Sequence, residues 1–184
     1  MALTKIQSLG ITDGTIVNAD INASAAIAST KLSGAGISQA DQWRLTTDKT
    51  GNSDITANLE RSDNTAFGYI GTGMTQSSGI FTFPTTGIYL ITAQGYWLRA
   101  GSAYLFAGIL INFTINNSTY ITQGRTYISG ASGAYGNSFI NCLVDVTDVL
   151  NCKIKFTTDS DDATLGGDTD SIRTGFTFIR LGDT

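Results

Sequence analysis

Residues 79–97 read GIFTFPTTGIYLITAQGYW, two runs of aromatic and β-branched residues split by Pro-Thr-Thr-Gly. Runs of this kind, bounded by glycine and polar residues, read as strands joined by a turn. The same texture continues outward in YLFAGILINFTI (104–115), TYITQGRTYI (119–128), NSFINCLVDV (137–146), NCKIKFTT (151–158) and SIRTGFTFIRL (171–181). Weaker candidates lie at 43–47, 55–59 and 67–70. Eight to ten short strands at this spacing predict an all-β, antiparallel sandwich or jelly roll. No helix of useful length is expected after residue 40, and the best helical stretch, ASAAIASTKL (23–32), is short and rich in Ser and Thr.

Composition narrows the function. The chain has 184 residues, 41% of them hydrophobic and 14% charged, with 21 glycines and one proline. That is room for one domain and an appendage, in a mixture suited to strands and tight turns. A net charge of -4 argues against nucleic acid and anionic membranes as partners. No apolar run is long enough to insert in a bilayer, and MALTKIQSLG lacks the apolar core of a signal peptide. A chain made in a cytosol and kept there until assembly or release is expected. Histidine is absent, which removes the commonest general base and zinc ligand. Cys142 and Cys152 alternate with apolar neighbours and read as small hydrophobes; whether they are bonded is left open. Glu60 is the sole glutamate, and no nucleophile-elbow, phosphate-loop or metalloprotease motif occurs. No enzymatic activity and no cofactor are expected.

Topology suggests where a binding site would lie. If successive strands cross the sandwich end to end, the connections at 99–103, 129–136 and 159–170 share one end. The turns at 116–118 and 147–150 share the other, where the N-terminal segment enters. Loops displayed on a rigid scaffold are the usual seat of recognition. Arg99, Tyr104, Tyr127, Tyr135, Asp161 and Asp168 are therefore the receptor-binding candidates, with the tyrosines set among Ser and Gly. Trp97 would suit sugar stacking, although core packing explains it better. Asp159, Asp161 and Asp162 are a weak calcium set, since their spacing matches no EF-hand and an ordinary solvated loop accounts for them.

The opening stretch resembles the strand pair of the complement globular-head and tumour necrosis factor superfamily, in which G-x-F-x-x-P-x-x-G-x-Y precedes a long apolar strand. Gly79, Phe81, Pro84, Gly87 and Tyr89 match that spacing. DVTDVLNCKIKF (145–156) is similar to the superfamily's strand, turn, strand passage, with Thr147-Asp148 in place of Gly-Asp; TGFTFIRLGDT (174–184) is similar to its last strand, with Gly175 and Phe176 where an aromatic-rich S-G-F type motif sits. The resemblance covers roughly residues 43–181 and implies a ten-stranded jelly roll, packed as a trimer and active in binding.

A second resemblance lies ahead of it. DGTIVNADINASAAIASTKL (13–32) is similar to connector segments of phage tail-fibre and other virion-fibre proteins, in the residues Asp13, Gly14, Thr15, Ile16, Asn18, Ala19, Asp20, Ile21, Ala26, Ile27, Ala28, Thr30, Lys31 and Leu32. Ile6, Ile11, Ile16 and Ile21 recur every five residues and are followed by Ile27 and Leu32. A single strand or helix would scatter them over its faces. Three chains around one axis would turn them inward. Together these readings predict residues 1–35 as a trimerising virion anchor or stalk and 36–184 as a jelly-roll knob. The expected protein is a homotrimeric phage fibre at the virion surface, bound to capsid or tail-hub proteins and displaying its knob to a host-surface glycan or protein. A capsid or tail cement protein that recognises no host is the alternative, and a bacterial ligand-binding module is a third.

Overall fold

The computed structural model describes residues 36–99 and 103–184, together with Ile21, Asn22 and Ala25. Ile6, Ile11, Ile16, Ile27 and Leu32 of the expected stalk lie outside the described residues; Ile21 is exposed. The fold below is that of the unit Gly36–Thr184.

Its strands are β1 (Ala40–Leu45), β2 (Leu59–Arg61), β3 (Thr75–Ser77), β4 (Ile80–Thr82), β5 (Gly87–Leu98), β6 (Tyr104–Thr114), β7 (Ile121–Gly130), β8 (Tyr135–Val146), β9 (Lys153–Ser160), β10 (Thr164–Leu165) and β11 (Gly175–Gly182). The strands pair antiparallel in two sheets. Sheet A runs β2–β1–β11–β5–β8, with β10 beside the end of β5 that β11 leaves unpaired. Sheet B runs β3–β4–β9–β6–β7. From β4 the chain passes to sheet A, returns for β6 and β7, crosses for β8 and returns for β9, which is the jelly-roll path. No helix occurs among the described residues.

The opening stretch sits at the centre of this plan. Along β5 every odd position is buried and every even one half-buried, so Tyr89, Ile91, Ala93 and Trp97 enter the core. Phe81 and Phe83 face them from β4 and its exit. Phe81 lies against Trp43, Phe156, Phe176 and Phe178 at centroid distances of 5.4, 5.7, 6.4 and 5.1 Å. The Tyr89 hydroxyl donates to the Thr85 carbonyl at 3.0 Å and closes the Pro-Thr-Thr-Gly corner. Gly79 follows Ser78 in a two-residue turn with φ positive at both, 49° and 77°. A Cβ there would lie 1.9 Å from the Ile55 carbonyl oxygen, so both the turn and the packing require glycine.

Several sequence expectations are corrected. The stretches 55–59 and 67–70 are not strands. The first is preceded by the isolated bridge of Asp54 with Thr157 and the second ends in that of Ile70 with Ala40, although Leu59 opens β2. Strand β11 starts at Gly175, four residues later than the apolar pattern from Ser171 implies. The connection at 129–136 shrinks to 131–134, because β7 and β8 extend into it. The stretch 159–170 is no free loop: β10 lies inside it, and Ala163, Leu165, Gly166 and Gly167 are buried. Cys152 is buried, Cys142 is half-buried against the core, and both thiols are free.

Candidate binding surface

Three connections meet where β5 ends. The Arg99 carbonyl accepts the Gly133 N–H at 3.1 Å. Its guanidinium donates to the carbonyls of Ala103 and Asp161 at 3.0 and 2.9 Å and pairs with Asp162 at 3.1 Å. One arginine thus ties the connections 99–103, 131–134 and 161–163 together at one end, as the end-to-end reading of the topology expects. Much of its donor capacity is used within the protein.

Beside Arg99, β6 opens with a bulge. Tyr104 pairs with Gly130 and Ala107 with Ile128, so β6 carries one extra residue. The extra residue breaks the in-out alternation and turns both Leu105 and Phe106 outward. Asp161 holds the bulge, accepting the Leu105 N–H at 3.2 Å and donating its own N–H to the Phe106 carbonyl at 2.8 Å.

Tyr127 projects from β7 on the same face. Its neighbour in register is Gly108 of β6, whose neighbour on β9 is Asp159. With no side chain between them, the Tyr127 hydroxyl reaches across and donates to the Asp159 carboxylate at 2.8 Å. A Cβ on Gly108 would lie 2.6 Å from the Tyr127 ring and 2.0 Å from the Thr126 carbonyl oxygen. The bond to Asp159, reinforced by burial, raises the hydroxyl's pKa above its ordinary value. The Phe106 ring stands at 83° to that of Tyr127, with centroids 5.9 Å apart. The result is an aromatic corner on sheet B edged by Asp159, Asp161 and Asp162.

The other candidates go elsewhere. Tyr104 is buried between Gly130 and Gly136, and its hydroxyl finds no hydrogen-bond partner among the described residues. Tyr135 projects from β8 on sheet A and stacks on Tyr96 at 5.6 Å, with the Arg173 guanidinium 5.7 Å from the Tyr96 ring. Asp168 accepts the N–H groups of Asp170 and Ser171, both at 2.8 Å, and pairs with Arg173. Those backbone bonds lower its pKa below the usual aspartate value. Trp97 belongs to the core, its indole N–H donating to Ser138 at 2.8 Å. Asp159, Asp161 and Asp162 serve three different partners, and no cluster placed to hold a metal ion occurs among the described residues. Sequence reasoning missed Leu105 and Phe106. Their one trace is two adjacent large apolar residues ahead of Ala107, out of phase with the rest of β6.

A second surface lies on sheet A. Among the described residues no strand pairs with the outer edge of β8. On its outward face Tyr135, Phe139 and Leu143 are 70%, 57% and 60% exposed. Leu143 continues across the sheet to Leu90 and Ile179 in register. Where β8 nears β7, at the end carrying the 116–118 turn, a groove of about 480 Å³ is lined by Phe113, Ile115, Ile121 and Leu143.

No protein-family model and no curated protein matches the sequence. Solved structures do resemble the fold. Murine APRIL at pH 5.0 is 15% identical, with a TM-score of 0.60 over 78% of this chain and 98% of that one. Eiger TNF from S. frugiperda is 15% identical, with a TM-score of 0.60 over 79% of this chain and 93% of that one. At such identity the likeness is one of fold. The chain therefore has a tumour necrosis factor-like jelly roll, as the Gly79–Tyr89 motif implies.

Proposed function

We propose that the protein is a homotrimeric phage fibre, anchored to the particle by residues 1–35 and presenting the jelly roll to a host-surface receptor. The observation that carries this reading is the apolar outward face of β8, where Tyr135, Phe139 and Leu143 project beside an edge that no strand pairs among the described residues. Exposed apolar edges of this length invite pairing or aggregation unless a neighbour covers them. A second copy packed there, repeated around a closed ring, covers the face in every subunit. The resemblance of residues 13–32 to virion-fibre connectors, and the regular isoleucines within it, support attachment to a particle. Three weak knob sites on one fibre would bind with an avidity that no single site has.

Light scattering should give the mass of three chains, and the double substitution Phe139→Asp, Leu143→Asp should give one. A wild-type monomer refutes the assembly. Protein lacking residues 1–35 should still adsorb to host cells but no longer enter particles. A truncated form that enters particles refutes the anchor. Failure of the intact protein to adsorb favours the cement reading.

A further inference from the structure

We propose that the corner between Tyr127 and Phe106 binds a neutral pyranose unit of a glycan. The inference rests on the receptor-binding reading and names the chemistry of the receptor.

Tyr127 is anchored at both ends, by its backbone in β7 and by its hydroxyl on Asp159 of β9, so its ring is set before any ligand arrives. Phe106 supplies a second ring at nearly a right angle, and Leu105, 80% exposed, extends the apolar area. A pyranose has an apolar C–H face that suits an aromatic ring and a rim of hydroxyls that need acceptors. The acceptors are in place. Asp159 Oδ1, Asp161 Oδ1 and Asp162 Oδ1 receive no hydrogen bond among the described residues, since each carboxylate meets its protein donor through Oδ2.

The charge at this corner selects against anionic sugars. Three carboxylates outnumber the two arginines of this corner: Arg125, which lies beside the Tyr127 hydroxyl, and Arg99, whose guanidinium already serves Ala103, Asp161 and Asp162. A uronate or phosphate would meet acceptors where it needs donors. A basic peptide would supply donors, but a stable protein interface takes roughly 20–30 residues a side, and this patch offers three apolar side chains. A single sugar ring matches its size.

The experiment titrates the intact protein, by calorimetry, with neutral oligosaccharides ending in hexose or N-acetylhexosamine, with a uronate oligosaccharide and with a Lys/Arg-rich peptide. Binding of a neutral oligosaccharide is expected, and Tyr127→Ala should weaken it by about tenfold or more, as loss of an aromatic anchor does. Tyr127→Phe keeps the ring, frees it from Asp159, and should lose less; thermal unfolding of both variants checks that they fold. Neutral-sugar binding that survives Tyr127→Ala overturns the proposal, as does binding of the uronate or the peptide alone, or of nothing. Adsorption to host cells separates the two levels. If Tyr127→Ala adsorbs like the wild type, this corner is the wrong site and the receptor reading stands. If the wild type does not adsorb, the receptor reading falls with it.

Discussion

Phe81→Ala is expected to destabilise the knob by about 3–5 kcal/mol, the range for emptying a large aromatic from a packed core. Phe81 is fully buried and contacts rings from both sheets: Phe156 on β9, and Trp43, Phe176 and Phe178 on β1 and β11. No smaller side chain can bridge these partners. Phe156 and Phe176 already stack on each other at 3.9 Å and have little freedom to close the space. Urea unfolding of the isolated unit 36–184 measures the loss. A change under about 1 kcal/mol would mean the cavity collapses, and that Phe81 is not the hinge of the core.

Asp41→Ala should bring a loss of similar size, about 3–5 kcal/mol, for a different reason. The Asp41 carboxylate is 3% exposed and accepts from the Trp43 indole at 3.0 Å, the Met74 N–H at 2.7 Å and the Arg61 guanidinium at 3.0 Å. Removing it leaves buried donors with no acceptor and a guanidinium with no counter-charge. That guanidinium also lies over the rings of Trp43 and Tyr69, at 5.2 and 4.7 Å, so the damage spreads into the 67–70 segment. The contrast is Asp54→Ala. Its pair with Lys155 is more exposed, and the expected loss is about 1 kcal/mol or less. Equal losses in the two variants would show that burial is not what makes the Asp41 network strong.

The strand pattern was legible because alternation needs no partner to be seen. β5 to β9 fall close to their apolar runs, and the Gly79–Tyr89 motif marks residues that the core and the turns require. What failed to read was set by contacts between distant segments. β10 exists because Leu165 pairs with Trp97 and bridges to Lys49, and nothing in TLGG announces that. The stretch 55–59 looks like a strand because Ile55 and Leu59 turn inward, yet Ile55 is held by one hydrogen bond to the Phe156 carbonyl.

The candidate site divides in the same way. Tyr127, Arg99 and Asp161 were named from loop position, and the fold does bring them to one end. Tyr104 and Tyr135 share that end but not that face, because a strand sends each side chain to one of two sides and the register decides which.

Taken alone, then, the order of residues determined an all-β sandwich and its central motif, since apolar periodicity and turn chemistry are local properties. Only the tertiary structure decided which outward side chains meet. The bulge at Leu105 and Phe106 and the passage of Tyr127 over Gly108 to Asp159 arise from the alignment of three strands, and alignment is fixed by partners that lie far apart along the chain.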